Sequence, residues 1–267
     1  VRATGQLRRH PVIQTTGRVG MVFYGGVHVL IAWLALQVVI GQTGEQADSK
    51  GAIAEIAETG AGPVLLWALT AGLFLFALWQ VAEALSGHTH VRQPRKRLAK
   101  RIGSVARAVT AVGIGIAALD FARGTGSTNS TGKQQELTAR VLAMPFGQVL
   151  VGAVAIAVLV LAAVLVRKGV TRSFERDLDL SELPDGTRGF VHHVGRAGYI
   201  GKGLAYGVIG VLVGLAALHA DPARSGGMDK ALHTVAAQPY GVVLLAAIAL
   251  GLGAFGVYCF AAAKAHR

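Results

Sequence analysis

Charge is scarce in this chain, and acid scarcest of all: 14 aspartates and glutamates face 26 lysines and arginines in 267 residues. Charged residues make up 15% and apolar ones 52%. A soluble domain ordinarily carries about 25% charged residues, so water is not this chain's main solvent. The single cysteine, Cys259, excludes an intrachain disulfide and reads as a small buried hydrophobe. No Cys/His group has metal-site spacing, so neither a metal nor another cofactor is expected. Seven prolines among 36 glycines, with no every-third period, exclude collagen. Gly17 to Gly20 and Gly201 to Gly207 lack a preceding strand or a phosphate-loop lysine, which excludes nucleotide sites. No nucleophile constellation is present, so an enzyme is not the expected reading.

What is abundant is long apolar sequence. Runs span Gly20 to Gly41, Gly62 to Ala84, Ser104 to Phe121, Gly147 to Val166, Gly203 to Ala220 and Gly241 to Ala263. Each is long enough, at about 1.5 Å per helical residue, to cover a hydrocarbon core of about 30 Å. Six crossing helices follow. Arg107 and Lys202 sit near the starts of the third and fifth runs, where both could snorkel to the headgroups. The first run is too long for the core of a cleavable leader.

Basic residues alternate in abundance along the chain. The N-terminal arm, the segment after run two, the segment after run four and the tail hold 20 of the 26, including the cluster Arg92 to Arg101. The positive-inside rule then places both termini and both linkers in the cytoplasm, giving a multi-pass protein of the cytoplasmic (inner) membrane. The basic face is suited to anionic lipid; nucleic acid is not an expected partner.

An internal repeat underlies the pattern. The even runs begin Gly62-Pro63-Val64-Leu65-Leu66, Gly147-Gln148-Val149-Leu150-Val151 and Gly241-Val242-Val243-Leu244-Leu245, and two are preceded by matching turns containing Pro145 and Pro239. In the odd runs, Gly17-Arg18-Val19-Gly20 matches Gly195-Arg196-Ala197-Gly198, an offset of 178 residues that also carries His28 onto Tyr206. Around Gly103 to Gly115 more than one register is open. Semi-polar segments Ala47 to Thr59, Lys133 to Met144 and Gly227 to Gln238 suit short interfacial helices on the outer side. Ile56, Val141 and Val235 each stand six residues before a repeat glycine.

The fold class read from this is an all-α membrane protein: six transmembrane helices as three parallel two-helix repeats in a pseudo-threefold arrangement. The units are an arm over 1–16, repeats over 17–87, 102–168 and 195–264, and linkers over 88–101 and 169–194. The Gly20 to Ala35 stretch with His28, Leu66-Trp67, Trp79-Gln80-Val81-Ala82-Glu83-Ala84 and Pro239-Tyr240-Gly241 carry a resemblance to a bacterial, mainly actinobacterial, integral membrane family. In that family a two-helix domain of unknown function occurs three times. The resemblance implies this architecture over about Gly17 to Lys264 and no particular activity.

Ionisable groups inside membrane segments need a partner or a purpose, which singles out His28, Glu83, Asp120 and His219. A contact between Glu83 and His28 within the first repeat is one possible pairing. Trp67, Trp79, Tyr24, Tyr199 and Tyr240 fall near run ends as interfacial anchors do. Gly20, Gly62, Gly147, Gly198 and Gly241 are structural repeat positions, and Gly203, Gly207, Gly210 and Gly214 form a small-residue packing face. His88, His90, His192 and His193 invite a zinc hypothesis without convergent cysteines to support it. Two function classes remain: an accessory or scaffold subunit with a protein partner or a second copy, and a small-solute transporter or channel around the threefold axis. The apolar interior favours the first.

Overall fold

A computed structural model describes residues 11–41, 46–86, 94–178 and 187–265. Its helices are α1 (Pro11–Val39), α2 (Ser49–Ala57), α3 (Gly62–Ser86), α4 (Pro94–Ala122), α5 (Ser130–Leu142), α6 (Gly147–Val170), α7 (Thr187–His219), α8 (Met228–Ala236) and α9 (Gly241–Ala265). Six of them, α1, α3, α4, α6, α7 and α9, are long and apolar enough to span a membrane. Each repeat is thus a long helix, a short linking helix and a returning long helix. The odd spans α1, α4 and α7 extend beyond their apolar cores at the end of the bundle that carries the basic linkers, here called the basic end. The short helices lie at the opposite, cap end.

Packing between neighbouring repeats is more extensive than packing within them. The returning helix of one repeat lies along the first helix of the next: α3 on α4, α6 on α7, and α9 on α1. Glycines set these approaches. On α7, Gly203 meets Ala162 and Val166 of α6, Gly210 meets Leu159, and Gly214 meets Ala155. Gly201 of α7 and Gly251 of α9 bring two backbones together, and Gly25 of α1 faces Gly256 and Cys259 of α9. Small residues let helices approach closely where lipid supplies no hydrophobic drive.

The ring of six helices is open at one place. Within the second repeat α4 and α6 share no extensive packing, and α6 buries only a stripe of Gly147, Val151, Ala155, Ala162 and Gly169 against its neighbours.

The repeat glycines Gly62, Gly147 and Gly241 do not serve contacts between spans. A Cβ on each would collide with the carbonyl oxygen of Ile56 or Ala57, Val141, and Val235 respectively. In all three copies the glycine N–H donates to the residue three before it, Thr59, Met144 or Gln238, at 2.7–2.9 Å. The short helix ends, folds back on itself and starts the returning span within one turn, which leaves no room for a side chain. Phe146 and Tyr240 take left-handed backbone at that turn; the first copy uses Pro63 one residue after the glycine instead.

The cap end ties the repeats to one another. Asp48 caps α2 by accepting from the backbone of Lys50 and Gly51, and it also accepts the Ser130 hydroxyl from the second repeat. Gln46 Oε1 accepts from the Ser130 backbone at 3.1 Å. Asp229 of the third repeat accepts from the Ala47 backbone at 3.0 Å, and Gln135 donates to the Ala223 carbonyl at 3.2 Å. Burial raises the Asp48 carboxyl above its ordinary range, although Ser130 and the two backbone donors oppose that shift.

Candidate functional site

The register left open for the middle repeat is settled by a triplet common to all copies. Arg18-Val19-Gly20, Arg101-Ile102-Gly103 and Arg196-Ala197-Gly198 align, and four residues beyond each glycine stand Tyr24, Arg107 and Lys202. Three repeat-equivalent polar side chains therefore occupy one level of the odd spans.

Lys202 does not reach for the headgroups from the start of its apolar run. α7 runs from Thr187 to His219, so Lys202 lies inside a continuous helix at the basic-end start of its apolar run, and it is buried there, 6% exposed. Its Nζ donates to Tyr24 Oη at 2.8 Å and lies 3.0 Å from His28 Nε2. It also stands 3.9 Å from the centre of the Phe255 ring. His28 Nδ1 is 2.8 Å from the Tyr24 carbonyl oxygen, which can only accept. Nδ1 therefore carries a proton and Nε2 accepts from Lys202, so one proton is held between amine and imidazole. Tyr24 stacks on Phe76 with ring centres 5.3 Å apart, and Phe255 is the repeat equivalent of Phe76. The same geometric slot thus holds tyrosine on phenylalanine in one copy and ammonium on phenylalanine in another. A desolvated cation over an aromatic face gains about 2 kcal/mol.

Arg107 is partly buried and donates to Ser104 Oγ at 3.0 Å. It is close enough to act electrostatically on Tyr24, Lys202 and Cys259. Gln80, 2% exposed, is the repeat equivalent of Cys259, and its Oε1 has no hydrogen-bond partner. Cys259 packs on Gly25, next to Tyr24. Ala108, next to Arg107, is the repeat equivalent of Gly25, and α3 packs along α4 as α9 does along α1.

The interior is therefore not almost entirely apolar: His28, Thr70, Gln80, Glu83, Ser104 and Lys202 are all buried within it. Of the polar candidates read from sequence, only His28 belongs to the cluster. Glu83 is buried toward the basic end, and the proposed contact with His28 does not form. Gly20 meets Gly72 and Phe76, and the two residues lie on opposite sides of that level, each roughly 10 Å or more along its helix. Asp120 and His219 lie at the cap end, half-buried and exposed respectively. His219 Nδ1 bonds to its own Leu215 carbonyl at 2.9 Å.

Several aromatic residues also face elsewhere than an anchor would. Trp67 is 52% and Tyr240 89% exposed, whereas Trp79 is buried against Phe76 and Tyr24 lies in the core. Tyr199 packs in a cluster with Phe174, Phe255 and Tyr258. Phe174 reaches that cluster from a 3-10 turn over Ser173–Asp177 and fills the space beside Gly195. His192 Nδ1 stands 2.5 Å from Glu175 Oε1. Among the described residues no group of three or more His, Cys, Asp or Glu could hold a metal ion, and His88 and His90 lie outside those residues. The leaflet-facing cluster read over Arg92 to Arg101 also lies partly outside them.

Lys202 was visible as a charge in an apolar sequence. The signal that would have placed it inside is the 178-residue offset applied to Tyr24, since equivalent residues of parallel repeats share a depth.

No solved structure is similar to this chain. Over 248 residues, 93% of this chain and 89% of the relative, it is 34% identical to a Bacillus subtilis (strain 168) protein described as "Uncharacterized protein YxxB". The profile described as Domain of Unknown Function (DUF1206) matches residues 19–87, 102–172 and 197–266, and so recognises each two-helix repeat in turn. The chain belongs to the DUF1206 family as three consecutive copies of its domain.

Proposed function

We propose that this protein is a small-solute transporter of the cytoplasmic membrane, with its basic end in the cytoplasm and its solute site at the level of Lys202. The observation that carries this reading is the buried Lys202–His28–Tyr24 cluster. A lysine buried among membrane-crossing helices is costly to a protein that needs only to pack, and such groups characteristically mark solute or proton pathways. The level lies where all three repeats contribute a residue, which suits a central site shared between parallel units. The hydrogen-bonded layer formed by Asp48, Ser130 and Asp229 supports a reading in which the cap end is shut and the basic end is the open side. Water access tests this. With Cys259 replaced by alanine and Gln80 by cysteine, a charged thiol reagent applied from the cytoplasmic side should label position 80 in native membranes. Labelling only after denaturation would contradict a solute path.

A second reading, an accessory or scaffold subunit, is favoured by one observation. The helix α6 is held by a narrow stripe and is unpacked against its own repeat partner, which leaves a long face for another membrane helix. Stoichiometric co-purification of a membrane partner that is lost on crowding that face would support it.

A further inference from the structure

We infer that the site between the three odd spans binds a small oxyanion, a carboxylate or inorganic phosphate, held by Arg107 and Lys202 with the Tyr24 hydroxyl beside them. This inference rests on the transport reading and names its substrate class.

The charge balance of the site comes first. Arg107 and Lys202 occupy equivalent positions, 95 residues apart on α4 and α7, at one level of the bundle. Among the described residues no carboxylate forms an ion pair with either. A buried lysine and a partly buried arginine at one level repel each other, and neither has, among the described residues, the ion-pair partner that buried charges ordinarily have. An anion between them removes both penalties.

Donor geometry points the same way. Among the described residues Arg107 donates one side-chain hydrogen bond, to Ser104, and the guanidinium has five N–H donors in a planar fork that matches an oxyanion bidentately. Lys202 is steadied by His28 and Tyr24, both of which accept from it, so it contributes charge from a fixed place. The phenol proton of Tyr24 is free to point away from the ammonium, because its oxygen is the acceptor in that bond. Gln80 supplies an independent sign of a ligand: a nearly fully buried carbonyl oxygen without a donor, on the helix that packs beside Arg107. A water or ligand hydroxyl accompanying the anion satisfies it. Chloride would leave the fork of Arg107 half used, whereas a carboxylate or phosphate fits it.

The test is thermal stabilisation of the purified full-length chain in mild detergent, titrated with succinate, inorganic phosphate or chloride at constant ionic strength. The expected result is a saturable rise in melting temperature with succinate or phosphate and none with chloride. Whichever of the two is bound identifies the source of the oxyanion. Lys202→Met and Arg107→Gln should each weaken binding at least tenfold, and Lys202→Arg should restore most of it. Because the methionine variant is matched in volume, its unliganded melting temperature reports whether it has folded. A shift that is equal for all three salts, or unchanged in both variants, would overturn the inference. Absence of any shift while position 80 remains open to water would do so too, and would leave a transporter for a neutral or cationic solute.

Discussion

Tyr24 and Lys202 are repeat equivalents, separated by the same 178 residues that carry Gly20 onto Gly198, and their side chains meet at 2.8 Å. Equivalent residues touch only where they face a shared axis, so this bond locates the centre of the molecule. It also explains how one slot accepts different chemistry: an aromatic ring, Phe76 or Phe255, backs the position in two copies.

Lys202→Met should fold as well as the parent or better, because it removes a buried charge that no carboxylate among the described residues pairs with, while keeping the volume. Lys202→Ala should lose about 2–5 kcal/mol through the cavity it opens among Tyr24, His28 and Phe255. Melting temperatures in detergent check both, and a methionine variant as unstable as the alanine one would show that the lysine is a structural element only.

Gly241→Ala should cost about 1–3 kcal/mol, since its methyl group meets the Val235 carbonyl of a turn that has nowhere to move. Gly152→Ala is the control. Nothing lies within 4 Å of a Cβ there, and the residue sits inside α6, so the change should be neutral or stabilising by up to about 1 kcal/mol. Equal effects of the two substitutions on thermal unfolding would contradict the account of the turn.

The cap end should carry a pH signature. Because Asp48 has a raised folded pKa, the folded state binds its proton more tightly than the unfolded chain, whose ordinary value is 3.8. Stability from this group is fully present below that value, falls as pH rises through the window up to the folded value, and is constant beyond it. Asp48→Asn keeps a side-chain oxygen for the cap and removes the titration. The difference in melting temperature between parent and variant should therefore change across that window alone; a difference that grows in the parent's favour with rising pH would reverse the sign.

Orientation follows from the basic residues. Tags near Lys50, Lys133 and Gly227 should react from outside the cell, while reporters within Arg92 to Lys100 and after Arg267 should be cytoplasmic. Labelling of Lys50 from the cytoplasm alone would invert the topology.

The architecture was largely legible in the sequence because apolar length and basic spacing are one-dimensional signals. The glycines of the even helices were legible as structural repeat positions; their constraint, the carbonyls of Ile56 or Ala57, Val141 and Val235, depends on a turn that brings residues five or six apart together. The site was half legible. His28 stood out as a lone ionisable residue, whereas Lys202 was masked by Arg188 and Arg196 upstream, which made it resemble the end of a polar linker. The extension of α7 back to Thr187 sets it inside a continuous helix, where Tyr24, His28 and Phe255 enclose it. Glu83 was paired with His28 on the basis of depth counted from helix ends, and the crossing of α1 on α3 at Gly20 and Phe76 shifts that count.

The central claim, that Tyr24, Arg107 and Lys202 converge on one level between three helices, is tested most directly by cross-linking. In a protein with Cys259 replaced by alanine, cysteines are placed pairwise at positions 24, 107 and 202, with a protease site cut into each inter-repeat linker so that a covalent link keeps the fragments together on a denaturing gel. A short bifunctional thiol reagent should join all three pairs, while a cysteine at Val109, which faces outward, should join none of them. Linkage of 24 to 202 without 107 would remove the arginine from the site. Failure of the 24 to 202 pair, with both cysteines shown to be reactive, would contradict the axis itself.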